Sequence, residues 1–169
     1  MVQLGTINRI IKAYALVGFC VAAYALHVEI SLENDPDFEP LCDLREYVKC
    51  SPAFISPYAK GFGIVGYIFG EDSAFNVPNG LTGMLFYTLS FALSCSDSDK
   101  LLNIHYYLAI ASNVSTFYLA FVLVFVVQEL CLVCLTTYFI NAISLLCISS
   151  KRRKLLSLSV HLHKPCKGD

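Results

Sequence analysis

Two of the eight cysteines form a C-x-x-C, Cys131-Leu132-Val133-Cys134. Thiols at that spacing can close to a disulfide and reopen, moving two electrons per cycle. On a helix, residues i and i+3 share a face, so both sulfurs come within bonding reach. At a helix N-terminus, free amides and the macrodipole favour the thiolate and lower the thiol pKa. A rise of about 1.5 Å per residue sets Cys134 about 4.5 Å further along the axis than Cys131. A second pair, Cys42 and Cys50, is separated by seven residues. Two other uses compete with redox exchange. Zinc needs four ligands in compatible spacing, which these two pairs do not offer, so no metal is expected. Purely structural disulfides are the second competitor. His27, His105, His161 and His163 form no ligand pattern.

The elements that must carry these cysteines follow from hydropathy. Apolar residues make up 56% of the 169 and charged residues 15%. Soluble domains carry about a quarter charged residues, so the chain reads as an all-α integral membrane protein. A helix needs about 20 apolar residues to cross roughly 30 Å of hydrocarbon. Four runs qualify as spans: residues 10–28, 80–95, 101–127 and 130–148. The second is shorter and follows Pro78, which suits an early helix position. The reading is one four-helix membrane domain over residues 1–150, with a loop at 30–79 and a basic tail at 151–169. A net charge of −1 gives a nucleic-acid partner no electrostatic support.

Basic residues orient the bundle, because cytoplasmic flanks are enriched in Lys and Arg. Arg9 and Lys12 precede or open the first span, and Lys151, Arg152, Arg153 and Lys154 follow the last. Both termini are therefore expected in the cytoplasm. The loop at 30–79 and the turn at Gln128-Glu129 are then extracytoplasmic. Residues 10–28 also fit a cleaved signal peptide, with Ala23-Tyr24-Ala25 as its site; cleavage would leave the loop on the same side. Asn113-Val114-Ser115 matches a glycosylation sequon, but its place inside a span argues against modification.

Topology sorts the cysteines. Cys42, Cys50, Cys131 and Cys134 gather on the oxidising face, where disulfides persist. Cys20, Cys95, Cys147 and Cys166 read as packing or incidental thiols. Cys131 then faces aqueous thiols, while Cys134, deeper, faces a lipid-soluble substrate. A quinone suits that position, and its site wants hydrogen-bond donors in an aromatic pocket. Tyr138 lies one turn beyond Cys134 on the same face. Asn79 opens the second span at a comparable depth, and Phe86 lies two turns further on. Each also fits ordinary packing, and Asn79 also fits a helix cap. Residues 60–70 (KGFGIVGYIFG) are too short to span and read as an interfacial or re-entrant cap. Asn141, polar within the fourth span, is expected to bond to a neighbouring helix.

Cys42-Asp43-Leu44, Cys50-Ser51, Gly61-Phe62-Gly63, Asn76-Val77-Pro78-Asn79, Phe86-Tyr87 and Glu129-Leu130-Cys131-Leu132-Val133-Cys134 with Thr137-Tyr138 occur in one order. Together they resemble the vitamin K epoxide reductase family, including its "like" branch, from about residue 13 to 148. The resemblance implies a four-transmembrane-helix bundle in the endoplasmic reticulum membrane, with a large luminal loop capping a quinone site. It implies reduction of vitamin K epoxide to quinone and of quinone to hydroquinone, with no tightly bound cofactor. By carry-over, Cys131 and Cys134 are the active pair, with Cys134 attacking substrate. Cys42 and Cys50 are the shuttle pair, with Cys50 exchanging with Cys131. Asn79 and Tyr138 are donors to the substrate carbonyls, and Phe54 and Phe86 are pocket walls. The electron donor is a dithiol or a thioredoxin-like luminal protein. The family is also the target of 4-hydroxycoumarin anticoagulants. Thr82 and Tyr58 depart from its pattern, where a bulky aromatic and a tryptophan are expected.

Two other functions remain open at this level. The same cysteines could oxidise luminal thiols for disulfide formation, with a quinone as electron sink. A four-span scaffold with structural disulfides would need no turnover at all.

Overall fold

The computed structural model describes residues 4–35, 37–45, 48–96 and 98–162. Regular structure among them is helical: α1 (Leu4–Asn34), α2 (Ser51–Ile55), α3 (Val65–Phe69), α4 (Asn79–Ser94), α5 (Asp99–Val122) and α6 (Leu132–Leu162). Two isolated bridges, Arg45 to Val48 and Lys60 to Pro78, accompany them. Among the described residues, three helical stretches are long and apolar enough to cross a membrane: Leu4–Asn34, Asp99–Val127 and Leu132–Ser157. With 16 residues, α4 is about 24 Å long, some 6 Å short of a typical hydrocarbon core.

Small residues bring α1 and α4 together. A Cβ on Gly80 would lie 2.8 Å from the Leu26 backbone nitrogen and 3.1 Å from the Ala22 carbonyl oxygen. One turn on, a Cβ on Gly83 would meet the Ala22 Cβ at 3.2 Å. On α1, Gly18 receives the ring of Tyr87. Backbones approach this closely only where side chains are missing or small. On the other side of the bundle, α6 packs on both α1 and α5, while α4 and α5 touch far less.

Several polar groups inside the bundle pair with one another, as an apolar surrounding demands, while among the described residues the Glu29 carboxylate oxygens and His105 Nδ1 are buried without a hydrogen-bond partner. The Tyr87 hydroxyl donates to Asn141 Oδ1 at 2.9 Å, and Asn141 Nδ2 donates to Thr116 Oγ1 at 2.8 Å. Asn113 Nδ2 donates to the Asn141 carbonyl at 3.0 Å. Asn141 thus bonds to neighbouring helices, joining α4, α5 and α6. The sequon asparagine Asn113 is itself buried in this network.

Beyond Val122, the helix of α5 widens into a π-turn over Leu123–Val127 and stops at Gln128. Gln128 adopts φ 60° and its N–H donates to the Leu123 carbonyl at 2.9 Å. That left-handed residue ends the helix, so that α6 begins a few residues later with Cys131 just ahead of it. At its other end α6 does not stop at the basic run; it continues to Leu162. Lys151 is fully buried and its Nζ donates to the Ser96 carbonyl at 3.0 Å. Arg152 donates to Asn103 Oδ1 at 2.9 Å and stacks over Tyr106. The first part of the expected tail is therefore helix packed on the α4–α5 link. His163 and Cys166 lie outside the described residues, as does the side chain of His161.

The chain between α1 and α4 folds over the end where α1 stops and α6 starts. It contains α2, 3-10 turns at Pro57–Ala59 and Gly61–Gly63, and α3. Gly61, Phe62 and Gly63 all have positive φ, at 52°, 59° and 71°. Two glycines make this tight reversal affordable on either side of Phe62. The Gly61 N–H donates to the Val77 carbonyl at 2.9 Å, and Lys60 pairs with Glu33 at the end of α1.

Candidate active site

All four cysteines singled out by sequence converge. Cys42, Cys50 and Cys131 share a buried cluster with Ala25, Leu123 and Val133. Cys134, Tyr138 and Phe54 pack against it. Cys42 and Cys50 are joined as a disulfide, while Cys131 and Cys134 are free thiols. The π-turn at the end of α5 supplies Leu123 to this cluster, so the irregularity there helps seat the cysteines.

Asp43 builds the outer pair. Its Oδ1 accepts from the Cys50 and Ser51 amides, and its Oδ2 accepts from the Ser51 hydroxyl. The carboxylate thereby fixes the start of α2 and holds Cys50 in place. Sequence reading passed over Asp43; an acid directly after one cysteine, with a Ser after the next, was the available signal. Cys42, Asp43 and Cys50 offer ligand atoms within 4.8 Å of one another. The sulfurs are spent on each other, however, and the carboxylate already accepts hydrogen bonds, so the cluster lacks thiolate donors for zinc.

Cys131 builds the inner pair. Its Sγ accepts the Cys134 N–H at 3.2 Å and its carbonyl accepts the Leu135 N–H at 3.0 Å. The thiol thus serves as an N-terminal cap, the role usually taken by Ser or Asp. A hydrogen bond from the Cys134 thiol, with help from the Cys134 and Val133 amides, lowers the Cys131 pKa below the ordinary thiol value. Burial and the Asp43 charge oppose that shift without reversing it.

A cavity of about 680 Å³ opens beside the inner pair, walled by α1, α4, α5, α6 and the cap segment. Of the four converging cysteines, Cys134 lines it and the other three do not. Asn79, Tyr138, Phe54 and Phe86 line it too. So do Tyr58 and Thr82. Its walls are mainly apolar, and a volume of this size suits one small apolar ligand. The network of Tyr87, Asn141 and Thr116 borders it deeper in the bundle.

Asn79 does not cap α4. Its Oδ1 accepts the Phe62 N–H at 3.0 Å, and its Nδ2 donates to the Tyr58 carbonyl at 2.6 Å. The side chain clasps the cap segment over the cavity, and the amide retains a second N–H for another acceptor. The other thiols stand apart. Cys20 borders a separate shallow groove between α1 and α6, Cys95 donates to the Phe91 carbonyl, and Cys147 packs in the core. His27 stacks edge-on against Phe38, and His105 bonds to Ser90 at 2.7 Å.

Comparison with known proteins gives a consistent picture. The model of the vitamin K epoxide reductase family matches residues 9–149. The chain is 36% identical over 135 residues to the Rattus norvegicus protein named vitamin K epoxide reductase complex subunit 1. That match covers 80% of this chain and 84% of the relative. The Mus musculus protein of the same name is 39% identical over 132 residues, covering 76% and 80%.

Proposed function

Because the chain belongs to the vitamin K epoxide reductase family, we propose that it reduces vitamin K 2,3-epoxide and vitamin K quinone, using Cys131 and Cys134 as the reacting pair. The observation that carries this reading is the position of Cys134. Of the four converging cysteines it is the one in the cavity wall, and it packs against the buried cluster that holds Cys131 together with the Cys42–Cys50 disulfide.

The sulfurs form a relay. A luminal dithiol, supplied by a thioredoxin-like protein, reduces Cys42–Cys50. The Cys50 thiolate attacks Cys131 in the Cys131–Cys134 disulfide, and Cys134 leaves as a thiolate. Cys42 then closes on Cys50 and frees Cys131. This exchange restores the outer disulfide and leaves the inner pair reduced. Cys134 attacks the ring as nucleophile, Cys131 displaces it, and the inner disulfide re-forms. Each cycle moves two electrons. With the epoxide, the ring oxygen leaves as water and the quinone remains; with the quinone, two protons complete the hydroquinone.

The low pKa of Cys131 fits this order, because a sulfur that holds charge well leaves readily when Cys42 closes on Cys50. Cys134, expelled as a thiolate when Cys50 attacks Cys131, stands beside the cavity in the form that attacks the ring. Asn79, through its remaining N–H, and the Tyr138 hydroxyl then bind the two ring oxygens, with Phe54 and Phe86 as flat walls. The setting is the endoplasmic reticulum membrane, with four spans, α4 the shortest, and the cap segment and active site on the luminal side. Both termini are cytoplasmic.

The test is conversion of vitamin K epoxide by membranes carrying the protein with a small dithiol, beside a Cys134→Ala control. Conversion that disappears in the control is the expected result. Equal conversion in both would remove Cys134 from the mechanism. Quinone reduction without epoxide conversion would leave a thiol oxidase that uses quinone as its electron sink.

A further inference from the structure

The outer disulfide is hard to reach. Cys50 is 0% exposed and Cys42 7%, so of the two only Cys42 has any surface at which an incoming sulfur could begin. Around that approach lie large apolar side chains that the bundle does not use. Leu41 is 86% exposed, Leu44 63% and Ile55 66%. Leu41 precedes Cys42, Leu44 follows it by two residues, and Ile55 ends the short helix that Cys50 introduces. Apolar groups left in water beside a reactive bond mark a contact surface.

The charges nearby indicate what covers it. Asp35, Asp37 and Glu39 are exposed along the chain leading to Leu41, against Arg45 and the partly covered Lys49 on the far side, while Glu33 is already paired with Lys60. That excess of carboxylates repels an anionic lipid surface and attracts a basic protein rim. Tyr67, Ile68 and Phe69 on α3 form another exposed apolar group, followed by the exposed carboxylates Glu71 and Asp72, but it adjoins neither cysteine of the outer pair in the chain.

We propose that Leu41, Leu44 and Ile55 are the docking surface for the dithiol protein that reduces Cys42–Cys50, a thioredoxin-like partner with an apolar groove beside its own cysteines and a basic rim. This rests on the relay given above. The partner's thiolate attacks Cys42, forming a mixed disulfide and expelling the Cys50 thiolate. Its second thiol then releases Cys42. The partner's two thiols are oxidised to a disulfide, and their two protons pass to Cys42 and Cys50.

The experiment measures reduction of Cys42–Cys50 in the full-length protein by mass shift on alkylation, alongside epoxide turnover. The donors are a reduced thioredoxin-fold protein with a basic rim, the same fold with an acidic rim, and dithiothreitol. The variants are the triple Leu41→Ser, Leu44→Ser, Ile55→Ser and the pair Asp37→Lys, Glu39→Lys. The triple variant is expected to raise KM for the basic-rimmed protein about tenfold or more, as the loss of interface anchors does, with dithiothreitol reduction unchanged. The charge reversal is expected to invert the preference between the two rims. Unchanged reduction by protein overturns the proposal. So does an equal loss with dithiothreitol, which makes the patch structural, or a loss confined to bilayers and absent in detergent, which seats it in lipid. If disulfide reduction depends on the patch yet no ring is reduced, the docking surface stands and the quinone reading falls.

Discussion

The backbone amide of Cys134 donates to the Cys131 sulfur at 3.2 Å, so the first thiol of the C-x-x-C caps the helix that carries the second. A sulfur that accepts amides holds negative charge well, and the Cys131 pKa is lowered, chiefly by the Cys134 thiol. Reduced protein with Cys20, Cys95, Cys147 and Cys166 changed to alanine should therefore show one thiolate forming below the ordinary value of about 8.5. Ultraviolet thiolate absorbance, compared with the same protein lacking Cys131, isolates it. Cys134→Ala removes the largest contribution and should move the midpoint upward. The folded state holds this thiolate more firmly than the unfolded chain does. Reduced protein should then gain stability above the ordinary thiol range and lose it as pH falls through the depressed value. A midpoint at or above the ordinary value would end the capping argument.

Asn79 links the cavity to its cover. Asn79→Asp keeps an acceptor for the Phe62 N–H but sets an oxygen against the Tyr58 carbonyl, where Nδ2 now donates. The cap segment should loosen by about 1–3 kcal/mol, the cost of leaving such a group unpaired. Hydrogen exchange is the direct measurement: the Phe62 amide should exchange faster in Asn79→Ala, and the whole of residues 58–62 should open more in Asn79→Asp. Unchanged protection in the Asp variant would mean that the Tyr58 contact does not hold the cap.

What the sequence revealed, and what it hid, divides along local and non-local physics. The C-x-x-C at a helix start is a local pattern, and its capping geometry follows from spacing. The need of Asn141 for partners could be read from one polar side chain in an apolar run, but not their identity. Tyr87 and Thr116 come from other helices. The meeting of Cys50 with Cys131 depends on how an irregular loop folds, and such loops carry no period. The grip of Asp43 on Cys50 and the clasp of Asn79 on Tyr58 were hidden for the same reason. Phe54 was reachable through family resemblance alone. The basic run after residue 150 reads as the flank of the last span, and α6 continues through it as helix. The long apolar stem of Lys151 packs inside while its ammonium reaches the Ser96 carbonyl, as lysines do at such boundaries.

Gly80 tests the α1–α4 seam. An added Cβ would press on the Leu26 backbone nitrogen and the Ala22 carbonyl, neither of which can rotate aside. Gly80→Ala should therefore destabilise the protein by about 1–3 kcal/mol, the usual cost of overpacking. Because Asn79 is the adjacent residue, the shift should also misplace its side chain and raise KM for the ring substrate. Thermal unfolding in detergent, with and without bound quinone, checks both. A variant as stable as the parent would mean that the helices separate at no cost.

The outer cysteines test whether the relay is obligatory. Cys42 and Cys50 lie away from the cavity lining, so they have no part in holding the ring. The double variant Cys42→Ala, Cys50→Ala should keep turnover with a small dithiol able to enter beside Cys131, and lose it with a protein donor. Single variants should differ. With Cys42→Ala, the Cys50 thiol remains next to Cys131 and has no partner with which to close, so a Cys50–Cys131 mixed disulfide should accumulate, visible as cross-linked peptides. With Cys50→Ala, the thiol at Cys42 has lost the partner that passes electrons to Cys131, and the inner pair should stay oxidised when a protein donor is supplied. Full protein-driven turnover in the double variant would place the point of electron entry at Cys131 itself and leave the outer disulfide a structural role.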